Sequence, residues 1–349
     1  MRRGDGLTTV AVSGGAGYVG SVLVPMLLAR GYRTRVLDLL LFGEDTLAAH
    51  PLLEVHRADV RDRTLVERWA EGADAVIHLA GIANDPSCAL KPSLSQEVNV
   101  TGTYNVVTAA RRAGAERFVL VSSASVYGIA NDGPVHETSP LKPITVYGET
   151  KAQAEDIMRS EAAGAMTALA LRPAALYGYA PRQRLDLTVN LLTNHAVNRG
   201  GVEVFGGEQL RPTLHVADLC DLLLAALEHP MRDTGLAVFN AARENATVAD
   251  IARRVVGAVN SRSGPAHALA TLSTTPSDDR RSYAIDSTRA REALGFAPRR
   301  TLEGAVAELC AAFADGRLPR PLSDDRYFNV RRTQSSLGLL SAEPTAERY

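Results

Sequence analysis

Ser13-Gly14-Gly15-Ala16-Gly17-Tyr18-Val19-Gly20 follows the apolar run Val10-Ala11-Val12 and leads into Ser21-Val22-Leu23-Val24-Pro25-Met26-Leu27-Leu28. A short apolar strand, a turn with Gly14, Gly17 and Gly20, and an amphipathic segment stand in the order of a dinucleotide-binding unit. Each glycine has a mechanical task. The first permits a tight turn, the second lets a pyrophosphate approach the backbone, and the third lets the helix lie close on the strand. The anion then faces unpaired N–H groups at the positive end of a helix.

Arg33-Thr34-Arg35-Val36-Leu37 reads as the next strand. Asp38 at its end falls about 20 residues past the glycines, where a ribose 2'-hydroxyl needs an acceptor. A 2'-phosphate would be repelled there, so the reading is NAD rather than NADP. The plain alternative is that Asp38 caps its strand.

Bulk properties narrow the class. At 349 residues the chain exceeds the usual size of one core, which predicts a large domain plus a smaller one. A net charge of -1 and a pI near 6.7 provide no basic field for nucleic acid. Cys88, Cys220 and Cys310 are odd in number and far apart, which suits a reducing compartment without a structural disulfide. The eight histidines show no metal-ligand spacing, so no metal is expected. The apolar run after Arg2 and Arg3 is too short for a signal core, and no stretch reaches the ~18 apolar residues of a membrane span. These features predict a cytoplasmic protein with no nucleic-acid or membrane partner.

Further strands are read at Leu53-Glu54-Val55-His56-Arg57, Ala75-Val76-Ile77-His78-Leu79-Ala80, Arg117-Phe118-Val119-Leu120-Val121 and Ala168-Leu169-Ala170-Leu171-Arg172. Helical patterns at about 93–113 and from 145 onward alternate with them, which predicts an α/β fold with a doubly wound parallel sheet. Asp59 would lie at the ligand-binding edge of that sheet, against adenine, or else Asp59 or Asp62 caps the next helix. His78, inside a strand, reads as a satisfied core residue. The polar loop 82–91, with Asn84, is a candidate wall of the site.

Residues 1–175 are thus read as a Rossmann domain. Residues 176–318 are read mainly as a smaller α+β substrate domain, with 235–260 a candidate to return to the first. The Ser/Thr/Pro-rich stretch 261–277 reads as a mobile loop. Residues 319–349 read as a tail that wraps the surface or a partner subunit.

Only Lys91, Lys142 and Lys151 occur among 38 basic residues, so each lysine stands out. Tyr147 and Lys151 are four apart and share one helix face. Hydride removal from an alcohol needs a base, and a nearby ammonium together with a positive nicotinamide would favour the phenolate. Lowering a tyrosine from about 10 to about 7 takes roughly 4 kcal/mol. Ser123, at the end of a strand, is placed to bond the same substrate oxygen. A solvated helix face is the bland alternative for Tyr147 and Lys151.

Gly14-Gly15-Ala16-Gly17-Tyr18-Val19-Gly20, Asp59-Val60-Arg61-Asp62, His78-Leu79-Ala80, Asn99-Val100-Thr101-Gly102-Thr103, Ser122-Ser123-Ala124-Ser125-Val126-Tyr127-Gly128 and Tyr147-Gly148-Glu149-Thr150-Lys151 occur in that order. With them the chain, from about 8 to 310, resembles the extended short-chain dehydrogenase/reductases, specifically the NAD-dependent nucleotide-sugar epimerases and dehydratases. The resemblance implies that Gly14, Gly17, Tyr18, Val19, Gly20, Asp38, Leu79, Ala80 and Asn99 join Asp59 and Val60 around NAD. Lys151 would meet the nicotinamide ribose, with Ser123 and Tyr147 at the reacting sugar hydroxyl. Asn84 and Ser125 are further candidates for the sugar. Asn190, Arg211 and Arg281 would hold the sugar diphosphate, with Arg280 an alternative to Arg281. A homodimer packed through the helices near 93–113 and 147–163 is also implied.

Members resembling the sugar 4,6-dehydratases carry Asp-Glu directly after the Ser or Thr, where this chain has Ala124 and Ser125. Dehydration is therefore demoted, and the favoured reading is epimerisation, by transient oxidation and hydride return at C4. A dehydrogenase or ketoreductase of the same family is the runner-up. A dinucleotide-sensing protein without catalysis is the alternative of another class, and an intact Ser123, Tyr147 and Lys151 argue against it.

Overall fold

The apolar runs pair side by side into one sheet of seven parallel strands. Its strands in chain order are β1 (Thr9–Ser13), β2 (Arg33–Asp38), β3 (Leu53–Arg57), β4 (Ala75–His78), β5 (Arg117–Val121) and β6 (Thr167–Pro173), followed by Leu236–Ala241. The order across the sheet is Leu236–Ala241, β6, β5, β4, β1, β2, β3. The computed structural model describes residues 8–130, 133–230, 235–262, 269–276 and 282–342. Arg280 and Arg281 lie outside them.

β1, β4 and most of β5 and β6 are buried throughout, as their unbroken apolar sequences require when helices cover both faces. Val10, Val12 and Ile77 face one core, whereas Ala11, Val76 and Phe118 face the other. The chain winds outward from β1 through β2 to β3, then resumes on the other side of β1 with β4. That reversal leaves a crevice at the carboxyl ends of β1 and β4, the position where open α/β sheets bind ligands.

His78 in β4 is buried, with Nδ1 2.5 Å from Ser13 Oγ and Nε2 3.0 Å from Thr103 Oγ1. Burial, reinforced by the Lys151 charge, pulls its pKa down to about 3, so it is a neutral core residue.

Beyond β6 the chain builds smaller sheets. Ala175–Tyr177, Leu210–His215 and Glu244–Thr247 form one, and Gly201–Phe205 pairs with Thr271–Thr275 in another. The second pair corrects the reading of 261–277 as a loop throughout. Its Ser/Thr content marks an exposed strand, with four of five residues in 271–275 exposed. The helical pattern at 93–113 is also interrupted, by a π-helical turn at Glu97–Thr101 between Pro92–Gln96 and Gly102–Arg112. The C-terminal residues fold as helices Asn329–Ser335 and Leu337–Leu340 on this chain's own first unit, beside Asp85–Leu90.

Candidate active site

One cavity of about 570 Å³ runs along the crevice. Gly14, Gly17, Tyr18, Val19, Gly20, Asp38, Asp59, Val60, Leu79 and Ala80 line it, together with Asn84, Ser123, Ser125, Tyr147 and Lys151, and with Arg211 from the strand Leu210–His215.

The dinucleotide end is built by backbone. Val19 occupies the cap position of the Gly20–Ala29 helix, and no side chain caps its N–H groups. A Cβ on Gly17 would meet only the Gly14 carbonyl oxygen, at 3.2 Å, and would otherwise fill the cavity where a pyrophosphate approaches. Asp38 accepts Ala16 N–H at 3.0 Å and Leu40 N–H at 2.8 Å, so its carboxylate is clamped at the mouth of the glycine turn. Burial raises its pKa against those two bonds. These features fit NAD: donors for phosphates, an open glycine, and a carboxylate acceptor for a ribose.

Asp59 and Asp62 divide the roles left open between them. Asp62 caps the Arg63–Ala70 helix, accepting Leu65 N–H at 3.0 Å. Asp59 stays at the cavity wall, paired with Arg61 at 2.7 Å.

At the other end, Thr145 caps the Val146–Glu161 helix and donates to Asp85 Oδ1 at 2.7 Å. Gly148 in its first turn lets that helix approach the serine turn, since a Cβ there would lie 2.9 Å from the Ser125 carbonyl oxygen. Ser123 Oγ accepts from Ser125 N–H at 3.2 Å and Ser125 Oγ at 2.9 Å. It also hydrogen-bonds the Tyr147 phenol in the sense that favours phenolate. Lys151 Nζ stands 5.9 Å from the Tyr147 ring centroid and donates to the Val121 carbonyl oxygen at 2.9 Å.

The electrostatics differ from the expectation of an acidified phenol. Burial pushes Tyr147 up to about 12, with Cys88 adding to it and Ser123 and Arg184 opposing. Burial pulls Lys151 down to about 8 against the Cys88 and Glu155 charges. The reason is desolvation: each side chain loses hydration of its charged form, and the partner charges do not offset that loss. With its pKa raised to about 12, the phenol is protonated at neutral pH.

Two expected residues stand elsewhere. Asn99 lies behind the wall, where its amide bonds Ile82 N–H at 2.8 Å, the Ile82 carbonyl at 3.0 Å and Thr150 Oγ1 at 3.1 Å. Asn190 is fully buried; its amide bonds Gly178 N–H and the oxygens of Gly178, Arg184 and Tyr18. Arg281 lies outside the described residues. Tyr18 contributes backbone to the cavity while its hydroxyl donates away, to the Gly178 carbonyl at 2.7 Å.

Sequence reading marks the 182–186 stretch for the sugar without assigning roles, and misses the wall residues of the C-terminal segment. Arg184 and Asp186 form a bidentate pair at 2.9 and 3.1 Å, and Asn84 Nδ2 donates to Asp186 at 3.2 Å. Arg182, Asn329, Thr333 and Leu340 complete the wall. The 182–186 stretch had a signal, a polar cluster without helical or strand period, whereas Asn329, Thr333 and Leu340 had none. Among the described residues no group of His, Cys, Asp and Glu side chains is disposed to hold a metal.

The model of the NAD dependent epimerase/dehydratase family matches residues 10–242. This chain belongs to that family. A UDP-glucose 4-epimerase of Lactobacillus helveticus is 32% identical over 315 residues, covering 83% of this chain and 92% of the relative. The structure of MoeE5 in complex with UDP-glucose and NAD is 28% identical with a TM-score of 0.75, covering 88% of this chain and 99% of that one. The Thermus thermophilus UDP-glucose 4-epimerase complex with NAD is 25% identical with a TM-score of 0.75, covering 87% and 100%. NAD is the cofactor of this epimerase/dehydratase family site, and the glycine turn and Asp38 are the residues that fit it.

Proposed function

We propose that the protein is an NAD-dependent epimerase that inverts C4 of a nucleotide-diphosphate sugar. The observation that carries this reading is that Tyr147, Ser123 and Lys151 share one cavity with the dinucleotide cradle while, among the described residues, every carboxylate lining it is engaged. Asp38 is held by two N–H groups, Asp59 by Arg61, Asp85 by Thr145 and Asp186 by Arg184. Dehydration needs an acid to expel a leaving group, and Ala124 and Ser125 stand where the related dehydratases carry theirs.

When bound, NAD would supply a reversible hydride acceptor and the positive charge of its nicotinamide. As phenolate, the form that this charge and the Lys151 ammonium would favour, Tyr147 Oη would take the proton of the sugar hydroxyl and later return it. Ser123 Oγ orients the same oxygen, and the Ser125 hydroxyl fixes Ser123 by donating to it. Lys151, anchored to Val121, holds a positive charge on the same wall. Asn84, Ser125 and Arg211 are assigned to the sugar diphosphate. Asn190 and Arg281 belong to the same assignment, Asn190 acting through the wall it stiffens.

A homodimer through the helices near 93–113 and 147–163 and a cytoplasmic location are part of the proposal. Tyr104, 44% exposed on the first of those helices, supports the dimer. Three free cysteines support a reducing compartment. No helix among the described residues is long and apolar enough to cross a membrane.

The test is incubation of the purified protein with a panel of nucleotide sugars in deuterated buffer. Inversion without solvent deuterium is expected. Deuterium at the carbon beside a ketone, or no inversion of any sugar, would overturn the reading.

A further inference from the structure

We infer that Arg182 is a ligand to the pyrophosphate of the bound dinucleotide and that the C-terminal segment holds it in place. Its backbone N–H donates to Ser21 Oγ at 3.2 Å, which sets the residue beside the first turn of the Gly20–Ala29 helix. From there the side chain follows the cavity wall. Its guanidinium carbon lies 3.5 Å from the Phe42 ring centroid, and Nη2 donates to Asn329 Oδ1 at 2.6 Å.

Arg182 is 4% exposed, and its Nε has no hydrogen-bond partner. Among the described residues it forms no ion pair, although Asp38 and Asp186 act on it from a distance. A buried cation held by one neutral acceptor and one ring is costly on its own. Burial, then the Arg184 charge, pulls its pKa down to about 9. An anion at the uncapped helix start would offset that cost, and the diphosphate of a dinucleotide is the anion that such a start accepts.

Asn329 is itself held. Its N–H donates to Asp186 Oδ2 at 3.0 Å and its Nδ2 to the Ala83 carbonyl at 3.5 Å. One turn on, Arg332 Nε donates to the Leu41 carbonyl at 2.6 Å, tying the segment to the loop after β2. The segment therefore ties Asp186 and the loop at Ala83 to the loop after β2, and Arg182 is the charge it fixes between them.

The experiment is a binding titration without sugar, on protein freed of bound dinucleotide, so it is independent of which sugar turns over. NAD, ADP-ribose, 2'-phospho-ADP-ribose and adenosine are compared on the wild type, Arg182→Gln, Arg182→Lys and Asn329→Ala. Arg182→Gln is expected to weaken NAD and ADP-ribose about tenfold to a hundredfold, the range for a charge-assisted bond, with adenosine unchanged. Arg182→Lys recovers part of the loss, and Asn329→Ala shows the same pattern at smaller size. The ligand-free Arg182→Gln protein is expected to melt no lower than the wild type, because a strained buried charge has gone. If Arg182→Gln does not fold, Asn329→Ala carries the test. Equal loss for adenosine, loss confined to the 2'-phosphate ligand, or unchanged NAD affinity would each overturn the inference.

Discussion

The Lys151 ammonium stands 5.9 Å from the Tyr147 ring centroid and makes its hydrogen bond elsewhere, to the Val121 carbonyl. Both groups are strongly shifted by burial, Lys151 down to about 8 and Tyr147 up to about 12. The folded protein therefore binds fewer protons at Lys151 than the unfolded chain between about pH 8 and the usual lysine value, and stability gained there rises with pH. With only three lysines in the chain, NMR of methylated lysines resolves this directly. In NAD-free protein one signal is expected to titrate near 8 and to vanish in Lys151→Met. Lys151→Met is also expected to raise the melting temperature below pH 8 and to lose that advantage above about pH 10. A Lys151 midpoint near the ordinary lysine value, about 10.4, would remove the argument.

Replacing Tyr147 with Phe removes the proton acceptor and leaves the dinucleotide end untouched. Turnover is expected to fall by at least about a hundredfold, the lower bound for a general base. NAD affinity, measured by titration, should stay within about twofold. Retained turnover would dismiss the phenol as the base.

In the proposed cofactor site, a 2'-phosphate would bring two more negative charges to Asp38. Asp38→Asn keeps an acceptor for Ala16 N–H while discarding the charge. The ratio of NADP to NAD dissociation constants should drop by about tenfold or more, equivalent to ~1.4 kcal/mol. An unchanged ratio would separate Asp38 from cofactor choice.

Asn190 makes bonds to Gly178, Arg184 and Tyr18 inside the wall. Asn190→Ala strands Gly178 N–H and should cost about 1–3 kcal/mol in denaturant unfolding. Loss of nucleotide-sugar affinity with no change in unfolding would instead mark Asn190 as a direct phosphate ligand.

Glu155 and Arg172 form a buried pair at 2.6 Å, and Ser122 Oγ donates to the same carboxylate at 2.5 Å, one residue before Ser123. Arg172→Met leaves that carboxylate unpaired, so a loss of about 3–5 kcal/mol in unfolding free energy is expected. Circular dichroism against denaturant measures it. A loss below about 1 kcal/mol would mean the pair is not holding the serine turn.

What the amino-acid sequence determined on its own was local or periodic. Gly14, Gly17 and Gly20, Asp38 at a strand end, and Tyr147 with Lys151 at one helical turn are patterns in sequence separation, and separation along regular backbone sets direction. The alternation of apolar strands with helices likewise sufficed for a doubly wound sheet. Thr271–Thr275 escaped because an exposed strand of Ser and Thr has the composition of a loop.

Tertiary structure decided what depends on neighbours remote in the chain. Arg182 meets Asn329 across 147 positions, and Asn190 meets Tyr18 across 172. No spacing rule encodes such meetings. The direction of the Tyr147 shift was hidden for the same reason, since the loss of water around a phenolate is set by everything that encloses it and not by the lysine four residues away.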